Sequence, residues 1–164
     1  MVKDPTLEPE EFSPKTAHIW RNMNAFGARC LGAGVLGAYW EAMYAMRSAL
    51  EDEQTGKKEH ECRVQVACEW ISHASKPLLW WAQENIGYAD VPVEDKAAYV
   101  EQGPLYSGPA SMCLQRWGFW LDRFEELSKE ESGLGEEIRK AALEASQTMK
   151  SIEAGVAHTL SAAS

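Results

Sequence analysis

The feature that most constrains this fold is a hydrophobic pattern with helical spacing near the end of the chain. Between residues 111 and 129 the apolar side chains follow one another at steps of four, three, four and three, at Cys113, Trp117, Trp120, Phe124 and Leu127. An α-helix turns once every 3.6 residues, so this spacing puts all of them on one helix face. Alternation with the period of a β-strand never extends beyond four residues in the chain. The sequence therefore predicts an all-α protein.

Similar stretches divide the rest of the chain into helices. Ser13-Pro14 has the composition of a helix start, with serine at the N-cap and proline at the first helical position. The helix that follows is predicted to turn one apolar face inward: Ile19, Trp20, Met23, Phe26 and Cys30. Further helices are expected over about 35–51, 62–75, 78–86, 93–101 and 136–158. Residues 62–75 are apolar around most of their circumference, which indicates a buried central helix.

The length of 164 residues is that of about one domain. We predict a flexible N-terminal arm over residues 1–13, which are polar and contain proline, and a single all-helical domain over 14–160. The domain is expected to be a bundle of five to seven helices around the segment near 62–75. The run EDEQTGKKEHE at 51–61 is almost entirely polar and is expected to be a solvated loop.

Charge and composition exclude several function classes. The net charge is −9, and the basic residues are scattered, which argues against a nucleic-acid partner or an anionic lipid surface. We recognise no signal peptide or membrane-spanning run, and we expect a cytoplasmic protein without a membrane partner. The four cysteines are expected to be free thiols, and their spacing fits no metal site. No phosphate loop or dinucleotide fingerprint is present, so we expect no cofactor.

Two residues of the predicted central helix have the spacing of an acid–base pair. Glu69 and His73 are four residues apart and share a helix face. A carboxylate beside an imidazole fixes its tautomer and raises its basicity, as a general base requires. We predict this pair as the base, with Arg47 or Arg116 stabilising an oxyanion. The alternative is a purely structural pair, or a glutamate bonded to Arg47.

Seven tryptophans are unusual for a chain of this length. An indole fills a small bundle well only where its N–H finds a hydrogen-bond partner. We therefore expect aromatic side chains to line an apolar cavity for a small molecule, at Trp20, Trp40, Tyr44, Trp70, Tyr106, Trp117 and Trp120. Simple filling of the core is the alternative.

Trp80 and Trp81 follow the helix break that is expected at Pro77. Adjacent residues of a helix point about 100° apart, so both rings cannot share one narrow core face. At least one ring is expected at the mouth of the cavity or in an interface that makes a homodimer through this helix.

One segment resembles a known family. The run GPLYSGPASMCLQRWGFWLDRF at 103–124 is similar to the C-terminal signature of a fungal family catalogued as domain of unknown function 3632, and EEIRKAALEASQTMKSIE at 136–153 is similar to its last helix. WRNMNAFGARCLGAGV and ACEWISHA match the family more loosely. The resemblance implies an all-helical intracellular fungal protein, and it implies no particular activity.

Two functions from different classes fit these features. One is a small-molecule protein with an aromatic-lined cavity for an apolar metabolite: a carrier, or a cofactor-free cyclase or isomerase of fungal secondary metabolism. The other is a non-catalytic helical interaction module that docks through an exposed Trp-rich face at Trp80 and Trp81. A pocket with convergent polar groups favours the first, and a continuous apolar surface favours the second.

Overall fold

A computed structural model describes residues 3–8, 10, 12–54, 56–84 and 101–162. Over these ranges the chain forms five α-helices and no strand: α1 Pro14–Gly32, α2 Tyr39–Leu50, α3 Lys57–Glu84, α4 Leu114–Leu127 and α5 Glu136–Ala162. Short 3-10 helices lie at Pro5–Leu7 and Glu130–Ser132. The all-α prediction is confirmed. The helix expected at 93–101 lies outside the described residues.

Both ends of α1 follow from local chemistry. Ser13 Oγ accepts the backbone N–H of Thr16, and Thr16 Oγ1 accepts the N–H of Ser13, which together form a capping box. Pro14 occupies the first turn, where its missing N–H costs nothing. Past the helix, Gly34 has φ +68°, which allows the chain to reverse toward α2. The predicted start of α1 is confirmed.

The central helix is α3, but it is longer than predicted. It begins at Lys57, inside the run expected to be a solvated loop, and it continues through Pro77 to Glu84. The break expected at Lys76-Pro77 is present three residues before the proline, at Ala74, and a second helical segment follows it as predicted. Proline lacks the N–H that would bond to the carbonyl of His73, and its ring crowds that carbonyl. The chain accommodates this at Ala74, whose backbone is not helical (φ −130°, ψ 17°), so α3 consists of two helical segments that meet at a kink.

Helix α1 packs closely along α3. A Cβ atom added to Gly27 would lie 3.2 Å from the ring of Trp70, and one added to Gly32 would lie 1.9 Å from the carbonyl oxygen of His73. Both residue numbers rise together, so the two helices run in the same direction. Only glycine permits the backbone approach at Gly32.

The face that α1 buries differs from the prediction. Ile19, Met23 and Phe26 were expected inside, yet they are 43%, 49% and 56% exposed. The helix instead buries the side that carries Trp20, Ala25, Ala28 and Leu31. Small side chains and glycines on that side let α1 approach α3 closely, which the larger side chains would prevent.

Part of the segment expected to be a flexible arm is packed on the bundle. Asp4, Pro5 and Thr6 are buried. Asp4 caps the first 3-10 helix by accepting the N–H of Thr6, and it also accepts the hydroxyl of Tyr44 at 2.9 Å. Arg63 Nε donates to Thr6 Oγ1 at 2.7 Å. These bonds tie the segment to α2 and α3.

Within the described ranges, no helix combines the length and the apolar character needed to cross a lipid bilayer.

Candidate functional site

A buried ionic cluster lies where α2 ends. The Glu51 and Arg116 side chains are both fully buried. Glu51 Oε1 accepts Arg116 Nε at 2.7 Å and Trp120 Nε1 at 2.6 Å, and Oε2 accepts Arg116 Nη2 and the N–H of Gly103, both at 2.9 Å. A buried carboxylate needs such a set of donors to offset its lost hydration.

This cluster engages Arg116, which was predicted to stabilise an oxyanion. Its guanidinium also lies over the rings of Tyr106 and Trp120, at 5.4 Å and 5.8 Å from their centroids. Arg116 has no face toward solvent, so it acts as the structural partner of Glu51. Sequence reasoning missed Glu51 because it opens an acidic run that is typical of a solvated loop. No local signal distinguishes it from its exposed neighbour Glu53.

Arg47, the other predicted oxyanion residue, forms an ion pair with Asp52 at 3.7 Å. Burial raises the pKa of Asp52, and the charges of Arg47 and Arg63 oppose that shift. Both predicted arginines therefore pair with acids just beyond the end of α2.

The predicted cavity aromatics fill the core instead. Trp20, Trp70, Trp117 and Trp120 are all buried. The last three of these donate their indole N–H to Asn24, Glu153 and Glu51 respectively, at 3.0, 2.8 and 2.6 Å. Because these side chains supply partners within the bundle, the rings need no polar cavity.

The remaining predicted aromatics also contact protein groups. Trp40 packs edge-on against Trp81 with 5.2 Å between ring centroids. Tyr106 packs on Phe119, and its hydroxyl lies 3.8 Å from Cys113 Sγ. Tyr44, as described above, donates to Asp4. The structure does not bring these aromatics together around one space.

Two grooves open along the seam between α3 and α5. The first, which we call the polar groove, has a volume of about 300 Å³ and is lined mainly by polar side chains of both helices, with Arg21 from α1. The second, the Trp80 groove, has a volume of about 430 Å³. Its walls are Lys76, Leu79, Trp80 and Gln83 on α3, and Ser151, Ile152 and Gly155 on α5.

The predicted acid–base pair borders the polar groove. His73 Nε2 lies 3.4 Å from Glu69 Oε2, and each side chain is about one third exposed (34% and 32%). Glu69 lines the groove together with Cys68. Burial raises the pKa of the Cys68 thiol to about 12, so this cysteine is a protonated, weakly nucleophilic group at neutral pH.

Trp80 and Trp81 point to different sides of α3, as the angle of about 100° between adjacent helix residues requires. Trp81 is buried and packs between Tyr39 and Trp40. Trp80 is 49% exposed and lines its groove. The Trp-rich face expected at this helix is therefore a single exposed indole, because Trp81 belongs to the core.

A comparison with protein-family models finds a match over residues 3–124 to the family described as Protein of unknown function (DUF3632). The chain belongs to this family. The match includes the 103–124 segment and ends there. Helix α5, whose sequence resembles the family's last helix, lies outside the matched residues. No curated protein and no solved structure matches the chain.

The 103–124 segment has a structural role here. Gly103, Arg116 and Trp120 all belong to it, and all donate to Glu51. A Cβ atom on Gly103 would lie 2.7 Å from Glu51 Cβ, so the loop can dock only through glycine. These residues of the 103–124 segment hold the loop and α4 on the end of α2. They line neither groove.

Proposed function

We propose that this protein binds a small, planar, apolar molecule that carries an acidic group, and that the Trp80 groove holds it. The observation that carries the proposal is the half-exposed indole of Trp80 on the wall of an open groove, one helical turn from the ammonium group of Lys76. Aromatic side chains are common on the walls of small-molecule sites.

The groove has the composition of a small-molecule site. Its volume of about 430 Å³ lies within the range for such sites, which are apolar with a few placed polar groups. Trp80 supplies a flat face, and Leu79 and Ile152 supply apolar walls. Lys76 supplies a positive charge for a carboxylate or sulfonate. Gln83 and Ser151 supply hydrogen-bonding groups at the edges.

A probe with this chemistry is 2-naphthoate, and its neutral amide is the matched comparison. Gly155→Leu is expected to fill the groove, because no described heavy atom lies within 4 Å of a Cβ atom built there. The control is Gly118→Leu on α4, where the surroundings of the added Cβ are equally open among the described residues. Both changes replace a helical glycine by a better helix former, so both variants should fold.

We expect naphthoate to shift the Trp80 indole resonance in wild-type and Gly118→Leu protein, and Gly155→Leu to weaken binding at least about tenfold. Lys76→Gln should weaken binding of naphthoate but not of the amide. Unchanged naphthoate binding by Gly155→Leu would contradict the proposal.

A cofactor-free isomerase or cyclase is the second candidate, and the Glu69–His73 contact supports it. Glu69 lines the polar groove, which opens along the same seam between α3 and α5 as the Trp80 groove. Binding is favoured over catalysis because both arginines predicted to stabilise an oxyanion are paired with acids, Arg47 with Asp52 and Arg116 with Glu51. If the protein chemically converts a groove ligand, and His73→Gln abolishes the conversion but keeps the affinity for that ligand, the enzyme is favoured.

A homodimer that docks through Trp80 is a competing use of the same surface. Sedimentation of wild-type protein and of Trp80→Glu separates the two. A dimer that Trp80→Glu dissociates, with helicity intact, would assign the indole to an interface.

A further inference from the structure

The outward side of α1 carries an apolar stripe that the bundle leaves uncovered. Ile19, Met23, Phe26 and Cys30 fall within an arc of about 60° on the helix. The first three are large exposed side chains, and Cys30 is half-buried at the edge. Single exposed apolar residues are ordinary on a protein surface, but a stripe over three turns is typical of a contact surface.

The stripe continues onto the loop that follows α1. The backbone N–H groups of Val35 and Leu36 both donate to the carbonyl oxygen of Cys30, at 2.9 Å and 3.4 Å. These bonds hold the loop against the last turn of the helix, where both of its apolar side chains are exposed. We call the combined surface the α1 outer face: Ile19, Met23, Phe26, Val35 and Leu36.

One flank of this face is positively charged. Lys15 and Arg29 are exposed and lie within about 40° of one another around the helix axis. No ion pair engages either of them within the part of the chain that the structure describes. Helix α1 contains no acidic residue, although the whole chain has a net charge of −9. Two of the three Lys and Arg residues of α1 therefore lie beside the apolar stripe.

We propose that the α1 outer face docks an amphipathic helix of another protein, with apolar residues at i, i+4 and i+7 and an acidic flank. Such a helix packs its apolar stripe on that of α1 and places carboxylates beside Lys15 and Arg29. The distance from Lys15 to Arg29 along the helix is about 21 Å, which about four turns of a partner helix cover. This proposal does not rest on the ligand proposed for the Trp80 groove.

Charge decides against two other occupants. A second copy that paired through the same face would bring another α1 helix, which has no carboxylate to place beside Lys15 and Arg29. An anionic membrane would attract the two cations but repel a molecule of net charge −9. An acidic helix from a different protein satisfies both the apolar stripe and the cationic flank.

The test uses two designed peptides of about 18 residues, with the same leucine stripe and with either glutamate or lysine on the flanks. Backbone NMR of the full chain should show that the acidic peptide shifts resonances of α1 and residues 35–36. The basic peptide should bind at least about tenfold more weakly. Lys15→Glu with Arg29→Glu should reverse that preference.

The apolar contribution is tested with Met23→Gln combined with Phe26→Gln, which should lower affinity for the acidic peptide at least about tenfold. Both residues are exposed, so the fold should persist. The control is Leu143→Gln, which changes a similarly exposed leucine on α5 and should leave binding unchanged. Equal binding of the two peptides, or shifts that avoid α1, would overturn the proposal. If the protein self-associates and the Met23→Gln/Phe26→Gln variant does not, the face binds a second copy and the proposal is overturned. If the protein binds phosphatidylserine vesicles and this variant does not, the face binds a membrane and the proposal is likewise overturned.

Discussion

Glu51→Gln tests whether the buried ion pair holds the bundle together. The substitution keeps the size of the side chain and removes its charge. Four donors surround the carboxylate: two nitrogens of Arg116, the indole N–H of Trp120 and the N–H of Gly103. A glutamine has one acceptor oxygen, and its amide nitrogen would face two of these donors. The buried guanidinium would then lose the counter-charge of Glu51.

Breaking a buried pair in this way costs about 3–5 kcal/mol of the free energy of unfolding. That is a large part of the total stability of a typical domain. For a chain of this length the melting temperature falls by about 2–4 °C per kcal/mol, so a decrease of roughly 6–20 °C is expected. The measurement is urea unfolding followed by far-UV circular dichroism, together with thermal melting.

Glu53→Gln is the matched control, because Glu53 is exposed two residues away. It should change the free energy of unfolding by less than about 0.5 kcal/mol. Arg116→Met alone should cost about as much as Glu51→Gln, because it leaves the carboxylate unpaired. The double variant should cost less than the sum by about 1 kcal/mol or more. Equal stability of Glu51→Gln and Glu53→Gln, or additive single effects, would refute this account of the cluster.

Two further substitutions test the packing of α3. Gly32→Ala should lower the free energy of unfolding by about 2 kcal/mol, because its Cβ atom would lie 1.9 Å from the His73 carbonyl oxygen. Gly118→Ala, where the added Cβ atom meets no described heavy atom within 4 Å, should not destabilise the protein. Urea unfolding of both variants measures the difference. Burial lowers the pKa of His60 below its ordinary value of 6.5. As the pH drops below about 6.5, the unfolded chain therefore binds a proton at His60 more readily than the folded protein does, and the free energy of unfolding should fall. His60→Gln should remove part of that fall. Urea unfolding at several pH values would expose an error if the wild-type protein and His60→Gln lose stability equally as the pH drops.

Local patterns were sufficient to predict where α1 begins and which side of α4 is buried. The capping residues at Ser13 and Thr16 act within one turn, and they are where the start of α1 was predicted. The stripe at Trp117, Trp120 and Phe124 is fully buried, as its spacing indicated. The Glu69–His73 contact also forms, because residues four apart on a helix are neighbours whatever surrounds them. Each of these features depends on residues that are close together in the chain.

The sequence by itself determined the all-α class, the central position of residues 62–75 and the family. Only the tertiary structure decided which of two apolar sides of α1 is buried, because small residues on one side permit contact with α3 while periodicity counts both sides alike. It also placed the break that Pro77 imposes at Ala74, because the missing N–H and the proline ring act on the turn before the proline. The choice of Glu51 as the partner of Arg116 joins residues 65 positions apart, and no local spacing specifies such a pair. That choice places the recognisable 103–124 segment in a structural role and leaves Trp80, on a different helix, as the exposed aromatic residue of the candidate site.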